Sequence, residues 1–288
     1  MPVETRRFDS VDAFLHVTGS FLEAREPEHM LSLGITGERR ESGSWPDDGA
    51  LAAALVGDRV VATAIWTPPW SVVLSEVDDL RAIDALAAAF SGDPLGGVNA
   101  PDEHAEVFAR AWTARAGGTY RMSTSQRSYA LDAVIPPDGV PGSLRRARAE
   151  DRDRMVGWML AFDDEAMGSE AGRQEMVALV DAMLTSPRRT GYLWDVDGEP
   201  VSMCQAVGRT PHGIRIGAVY TPPEHRRRGY ASAITAAVSQ EQLDRGLHWC
   251  FLFTDRANPT SNRIYQAIGY RPIRDFQLIR FDRPGEAS

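Results

Sequence analysis

The stretch Ala218-Val219-Tyr220-Thr221-Pro222-Pro223-Glu224-His225-Arg226-Arg227-Arg228-Gly229-Tyr230-Ala231 runs from an apolar strand through a proline turn into a helix that opens on small residues. At a helix start the first backbone N–H groups have no intrahelical partner, and the positive end of the dipole faces the turn. The stretch therefore has the anatomy of an anion site, with a pyrophosphate as its natural guest. Gly229 and Ala231 keep the helix start free of bulk, while Arg226, Arg227 and Arg228 add positive potential. Taken alone, the same residues read more simply as a solvated arginine run ahead of a surface helix.

A second segment, Asn258-Pro259-Thr260-Ser261-Asn262-Arg263-Ile264-Tyr265-Gln266-Ala267-Ile268-Gly269-Tyr270, follows one strand later. Asn258 suits an N-cap, Pro259 a first helical position and Gly269 a C-terminal stop. Ile264 and Ile268 mark the core face. Tyr265, one position round, lies at its edge and can project its hydroxyl beyond the sheet; on its own it reads as a core-edge aromatic.

Around these segments the second half has a definite order. A short strand at 144–146 precedes amphipathic helices at 151–167 and 172–184, and β-like runs follow at 192–196, 200–207 and 213–221. Turns at Asp197-Gly198-Glu199 and Pro211-His212-Gly213 make the three runs antiparallel partners. A helix at 229–243, a strand at 249–253, a helix at 259–268 and a strand at 272–281 complete an α+β sheet.

Together the two segments resemble the GNAT superfamily of acetyl-CoA-dependent N-acetyltransferases. The family's Gln/Arg-x-x-Gly-x-Gly/Ala signature binds the CoA pyrophosphate, and Arg226-Arg227-Arg228-Gly229-Tyr230-Ala231 fits it; the later Asn-x-x-x-x-x-x-Tyr pair falls on Asn258 and Tyr265. The resemblance implies that Asn258 contacts the pantetheine arm. It also implies that Tyr265 stands by the thioester sulfur as general acid, and that Ala218, Val219 and Tyr220, at the splayed end of the central strand, bind the cofactor through backbone groups. It covers the element order of 144–281, about half the chain. One departure is that Arg227 and Ala231 stand where many members carry glycine, which alanine satisfies within the pattern and arginine only with its side chain pointing outward.

The resemblance leaves the general base open. Many relatives carry a Glu on the strand before the phosphate loop, yet strict alternation here sets Arg215, Gly217 and Val219 on one face and Ile214, Ile216, Ala218 and Tyr220 on the other, with no carboxylate. Glu224, His225, Asp195, Asp197 and Glu165 are the candidates, each with a surface role as its alternative. For the leaving group, a phenol of pKa ~10 protonating a thiolate whose thiol has pKa ~8.5 is uphill by roughly 2 kcal/mol, which favours hydrogen-bond donation by Tyr265 over full transfer.

The first half reads as α/β: helices at 9–24, 78–90 and 102–116, strand material at 50–65 turning at Gly57-Asp58, and a strand at 120–134. Its element types liken it to a degenerate GNAT-like domain. Gly96-Gly97-Val98-Asn99-Ala100-Pro101 before a helix reads as a faded phosphate loop, with Trp45, Trp66 and Trp70 available to line an acceptor pocket or to fill a core. The proline- and glycine-rich tract 136–143 divides the chain, giving domains at 1–135 and 144–288.

Composition sets the outer limits. With 288 residues, 43% hydrophobic and 25% charged, the chain can build one large or two ordinary cores. All 31 basic residues are arginine; residues 1–142 carry 11 against 21 acids, and 143–288 carry 20 against 19. An acidic chain without a basic face is a poor nucleic-acid binder. No membrane-length apolar run or signal-like start is present, and the two cysteines, Cys204 and Cys250, sit in apolar segments, which suits a cytoplasmic protein. The histidines show no metal-ligand spacing, and neither a Gly-x-Ser-x-Gly elbow nor a Walker loop occurs. The expectation is a two-domain acyltransferase with acetyl-CoA as cosubstrate and a small-molecule primary amine as acceptor, without nucleic acid, membrane or metal. The alternatives are a non-catalytic acyl-CoA-binding or sensing protein and a protein N-acetyltransferase.

Overall fold

The computed structural model describes residues 1–167 and 172–282. In chain order the elements are β1 (Glu4–Phe8), α1 (Val11–Glu23), α2 (Met30–Ser42), β2 (Ala50–Val56), β3 (Arg59–Trp66), β4 (Val72–Leu74), α3 (Arg81–Ala89), β5 (Gly97–Pro101), α4 (Asp102–Ala116) and β6 (Thr119–Leu131). They continue with β7 (Ser143–Arg146), α5 (Arg152–Phe162), α6 (Arg173–Thr185), β8 (Arg189–Val196), β9 (Glu199–Val207), β10 (Gly213–Tyr220), α7 (Tyr230–Asp244), β11 (Trp249–Asp255), α8 (Pro259–Ala267) and β12 (Arg271–Asp282). No helix among the described residues is long and apolar enough to cross a membrane.

The described residues form two compact units, one of 1–128 with 273–282, the other within 129–272. This differs from a simple cut at 136–143. The last strand belongs to the first unit because β12 pairs antiparallel with β5, from Phe276↔Pro101 to Arg280↔Gly97. Residues 129–135 are held in the second unit by bonds such as Ile135 N–H to Ile268 O, 3.0 Å, and the linker is tied there too, Trp194 Nε1 donating to Pro141 O at 2.9 Å.

In the first unit the strand order is β1-β2-β3-β4-β5-β12, followed by the first ten residues of β6. Helices α3 and α4 bury Ile83, Leu86, Phe108 and Trp112 on one face; on the other, Phe14 and Leu22 of α1 and Leu33 of α2 meet Leu51 and Ile65. In the second unit the end of β6 is followed by β11-β10-β9-β8-β7. There α7 and α8 cover one face with Ile234, Val238 and Tyr265, and α5 and α6 the other with Met155, Met159, Val180 and Met183. Each unit thus has a sheet between two helical layers, the arrangement that buries both faces of its strands.

Local chemistry accounts for most element ends. Ser10 caps α1 by accepting Ala13 N–H at 3.2 Å. The β8–β9 hairpin turns on Asp197 and Gly198, both left-handed at φ 51° and 84°, whose twist matches that of the flanking strands.

Candidate active site

The decisive irregularity is in β10. Its pairing with β9 moves from Gly217↔Gln205 to Tyr220↔Met203, so β10 holds one residue more than its partner, and Ala218 takes a left-handed φ of 48°. Such a bulge reverses the alternation of side chains. Ile214 and Ile216 pack toward α7 and α8, whereas Ala218 and Tyr220 pack toward α5 and α6, with Val219 turned to the α7 side. The strict alternation read from sequence, with all four on one face, is corrected by this extra residue.

Beside the bulge, β10 parts from β11. The two pair in parallel from Gly213↔Trp249 to Arg215↔Phe251, although they run on to Tyr220 and Asp255. A Cβ built on Gly217 would meet nothing within 4 Å, so the strand borders open space there.

From β10 the chain passes through one 3-10 turn, Pro223–His225, and an extended Arg226. Arg227 and Gly229 then adopt left-handed φ of 64° and 83°. Left-handed residues on both sides of Arg228 are of the kind that lets successive N–H groups line a concavity suited to an anion. The helical ladder begins with Ala233 N–H to Gly229 O at 2.9 Å, so the N–H groups of Tyr230, Ala231 and Ser232 precede it. Tyr230 buries its ring in the α7 core, leaving its backbone for the turn, while Arg227 and Arg228 are exposed.

Arg226 departs from the sequence picture of a cation spread over the loop. Its Nε donates to Thr221 O at 2.8 Å and its Nη2 to both oxygens of Glu165, at 2.9 and 2.6 Å. Its guanidinium also lies over the Tyr220 ring at 5.7 Å, and the Tyr220 hydroxyl donates to Glu165 at 3.4 Å.

Across the parted strands, Asn258 caps α8 by accepting Ser261 N–H at 3.0 Å, which commits its oxygen and leaves its amide N–H groups as donors. Tyr265 is 9% exposed and packs edge-on against Tyr270 at 6.1 Å. Burial, with the Cys204 thiol close by, pushes its phenol well above the ordinary range. Burial likewise raises the Cys204 thiol, and Cys250 to about 12, which disfavours the thiolate a nucleophile needs.

Two residues that sequence reasoning passed over hold α8 in place. Tyr129 of β6 donates to Asn262 Oδ1 at 2.7 Å, and Asn262 Nδ2 donates to Asp255 O and Asn258 O at 3.0 and 2.7 Å. Asn262 lies one turn beyond the cap, a spacing that marks a polar helix face, but its partner is 133 positions away.

Among the candidate bases, Asp195 is engaged by Arg145 Nε at 2.5 Å, and that arginine also grips Asp151 at 2.7 and 2.8 Å. Asp197 sits in the β8–β9 turn. Glu224 is exposed on the 3-10 turn and His225 is half-buried beside it. Glu165 is the carboxylate bonded to the end residue of β10. Among the described residues no His, Cys, Asp and Glu cluster suits a metal ion.

The first unit repeats the order of hairpin, strand, helix and parallel strand, with β4 and β5 paired at Val72↔Val98 and Val73↔Asn99 around α3. The residues that lead into α3 are Ser75-Glu76-Val77-Asp78-Asp79-Leu80, whose carboxylates repel phosphate. Residues 96–101, read from sequence as a faded phosphate loop, are instead mostly β5. A Cβ at Gly97 would lie 2.4 Å from Ile279 O, so that glycine serves the approach of β12. Trp66 fills the core at 3% exposure, Trp45 packs against the α1 side, and Trp70 is exposed.

Residues 195–278 match the family model described as FR47-like protein. No curated protein matches the chain. Among solved structures, a Drosophila protein from structural genomics aligns at TM-score 0.68 and 16% identity, over 98% of this chain and 99% of its own. A GCN5-related N-acetyltransferase from Sphaerobacter thermophilus aligns at 0.60 and 17%, over 99% and 98%. A tandem GNAT protein from the clavulanic acid biosynthesis pathway aligns at 0.56 and 14%, over all of both chains.

Proposed function

We propose that this chain, which has the GNAT fold, transfers an acetyl group from acetyl-CoA to a primary amine of a small molecule by direct attack. The observation that carries the reading is the placement of the left-handed turn at Arg227 and Gly229 beside the parting of β10 from β11. The first suits a pyrophosphate, and the second leaves β10 unpaired with β11 beyond Arg215, where Ala218, Val219 and Tyr220 would meet the rest of the cofactor.

Acetyl-CoA would supply the activated thioester. The chain's own residues supply orientation and polarisation. N–H groups at the bulge suit a developing oxyanion. Tyr265, its phenol held protonated by burial, donates a hydrogen bond where the thiolate departs, and need not give up its proton. The amine forms the new C–N bond as the C–S bond breaks, and the proton it loses goes to a base at the end of β10. Glu165 is our candidate for that base. The two buried free thiols favour a cytoplasmic setting.

A second reading, a non-catalytic acyl-CoA sensor, draws on the depth at which Tyr265 is packed. Thermal melting with excess acetyl-CoA tests both against a protein that binds no CoA. At 100 times its dissociation constant the ligand adds ~2.7 kcal/mol, and Gly229→Asp removes the shift. Thiol release over an amine panel then separates enzyme from sensor.

A further inference from the structure

We propose that Arg226 and Glu165 form an exchange pair: a bound pyrophosphate draws the Arg226 guanidinium away from Glu165, and the freed carboxylate then receives the ammonium of the acceptor. The inference rests on the acetyl-CoA reading above. It begins from where the arginine of the phosphate-turn signature is found. Arg226 is committed to Glu165 by two contacts of 2.9 and 2.6 Å, and Glu165 lies 61 positions earlier, on the π-helical turn Asp163–Met167 after α5. The fold brings a carboxylate to the turn that carries the left-handed Arg227 and Gly229.

The pair is built to part. Its side chains are 41% and 45% exposed, and an ion pair so open to solvent is worth at most about 1 kcal/mol. A pyrophosphate offers more negative charge and fork-shaped acceptors to the same guanidinium. In the exchange Arg226 also gives up its Nε bond to Thr221 O at 2.8 Å, and Arg226 is the residue that ends the 3-10 turn ahead of α7.

What the arginine leaves behind is a receptor for a cation. Glu165 accepts from the Tyr220 hydroxyl, the Tyr220 ring lies 6.4 Å from that of Trp158, and each ring already carries a guanidinium, Arg226 at 5.7 Å and Arg154 at 5.8 Å. A carboxylate beside aromatic faces suits a primary ammonium. While Arg226 holds the carboxylate, such a ligand meets like charge; after the exchange it meets a free acceptor. Cofactor therefore binds before amine, and Tyr220 is a positioning residue for Glu165.

Calorimetric titration with CoA, and with pantetheine, which lacks the pyrophosphate, tests the exchange. Glu165→Gln should bind CoA roughly two- to fivefold more tightly than wild type, since its competitor for Arg226 is gone, with pantetheine affinity unchanged. Arg226→Ala should weaken CoA binding, and adding Glu165→Gln to it should change nothing further. Carbodiimide coupling of glycine ethyl ester to Glu165, read by peptide mass, should rise when CoA is added. The exchange is overturned if Glu165→Gln gains no CoA affinity, if the gain persists without Arg226, or if labelling does not rise. Wild type that binds no CoA at all would instead remove the acetyl-CoA reading on which the proposal stands.

Discussion

The Tyr129 hydroxyl donates to Asn262 Oδ1 at 2.7 Å and also accepts from Gln266 Nε2 at 3.2 Å, so a strand residue pins two successive turns of α8 on either side of Tyr265. Tyr129→Phe leaves the Asn262 oxygen without its donor, which should cost about 1–2 kcal/mol in denaturant unfolding. Turnover should fall with it, because the helix that aims Tyr265 loses its anchor. Unchanged stability and unchanged turnover together would show that α8 is held by its apolar face alone.

Tyr265→Phe keeps the ring and its packing against Tyr270 while removing the hydroxyl. We expect turnover to drop roughly 10²-fold, at the low end of acid–base effects because only hydrogen-bond donation is lost, with the acetyl-CoA melting shift retained. Full activity in this variant would make Tyr265 a packing residue.

At Gly229 a Cβ would meet Val140 Cγ2 at 2.8 Å, so the stiff valine would have to shift, and the φ of 83° cannot be adopted cheaply by alanine. Gly229→Ala should therefore destabilise by about 1–2 kcal/mol and weaken acetyl-CoA binding by reshaping the turn. Calorimetry and thermal melting check both halves.

Arg145 joins Asp151, which is 6% exposed, to Asp195. Removing the cation leaves the buried Asp151 carboxylate with the Arg148 N–H at 2.7 Å, so Arg145→Ala should cost about 3 kcal/mol, the low end for a broken buried pair. That is well beyond the loss for an exposed pair such as Arg148 with Glu150. Urea unfolding of Arg145→Ala and Arg148→Ala in parallel gives the comparison.

His29 is buried and neutral, donating through Nδ1 to Leu22 O at 2.9 Å and accepting the Glu76 N–H on Nε2 at 3.1 Å. Burial lowers its pKa to about 4. Unfolded, the imidazole binds a proton near pH 6.5, so stability is complete above that pH and is lost as pH falls toward 4, by up to about 3 kcal/mol. Unfolding free energies measured from pH 7 to 4 should show this decline, and His29→Gln should flatten it.

What could be read from the chain divides along the range of the interactions involved. The hairpin at Asp197-Gly198, the cap at Asn258 and the start of α7 at Gly229 are set by neighbours within a few positions, and they stand where the residues indicated. Strand β1 was not legible because its charged, exposed residues pair with β2 alone, and α2, with a polar mix and two glycines, shows little periodicity. The bulge in β10 left no signature, since Ala218 takes a left-handed φ without glycine's help. At the site, the phosphate turn could be read, whereas the Arg226 pairing with Glu165 and the Tyr129 anchor depend on contacts that only the folded chain creates.

The place of β12 bears on how the protein is made. Strand β5 emerges from the ribosome long before residues 276–280, its antiparallel partners, and Arg274 of the same strand carries the guanidinium that Glu76 and Glu103 await. During synthesis the first unit therefore exposes an unfinished sheet edge for as long as the second unit takes to be translated, a hazard for edge-to-edge association. The half that is begun first thus receives its last strand only after the second half has been translated.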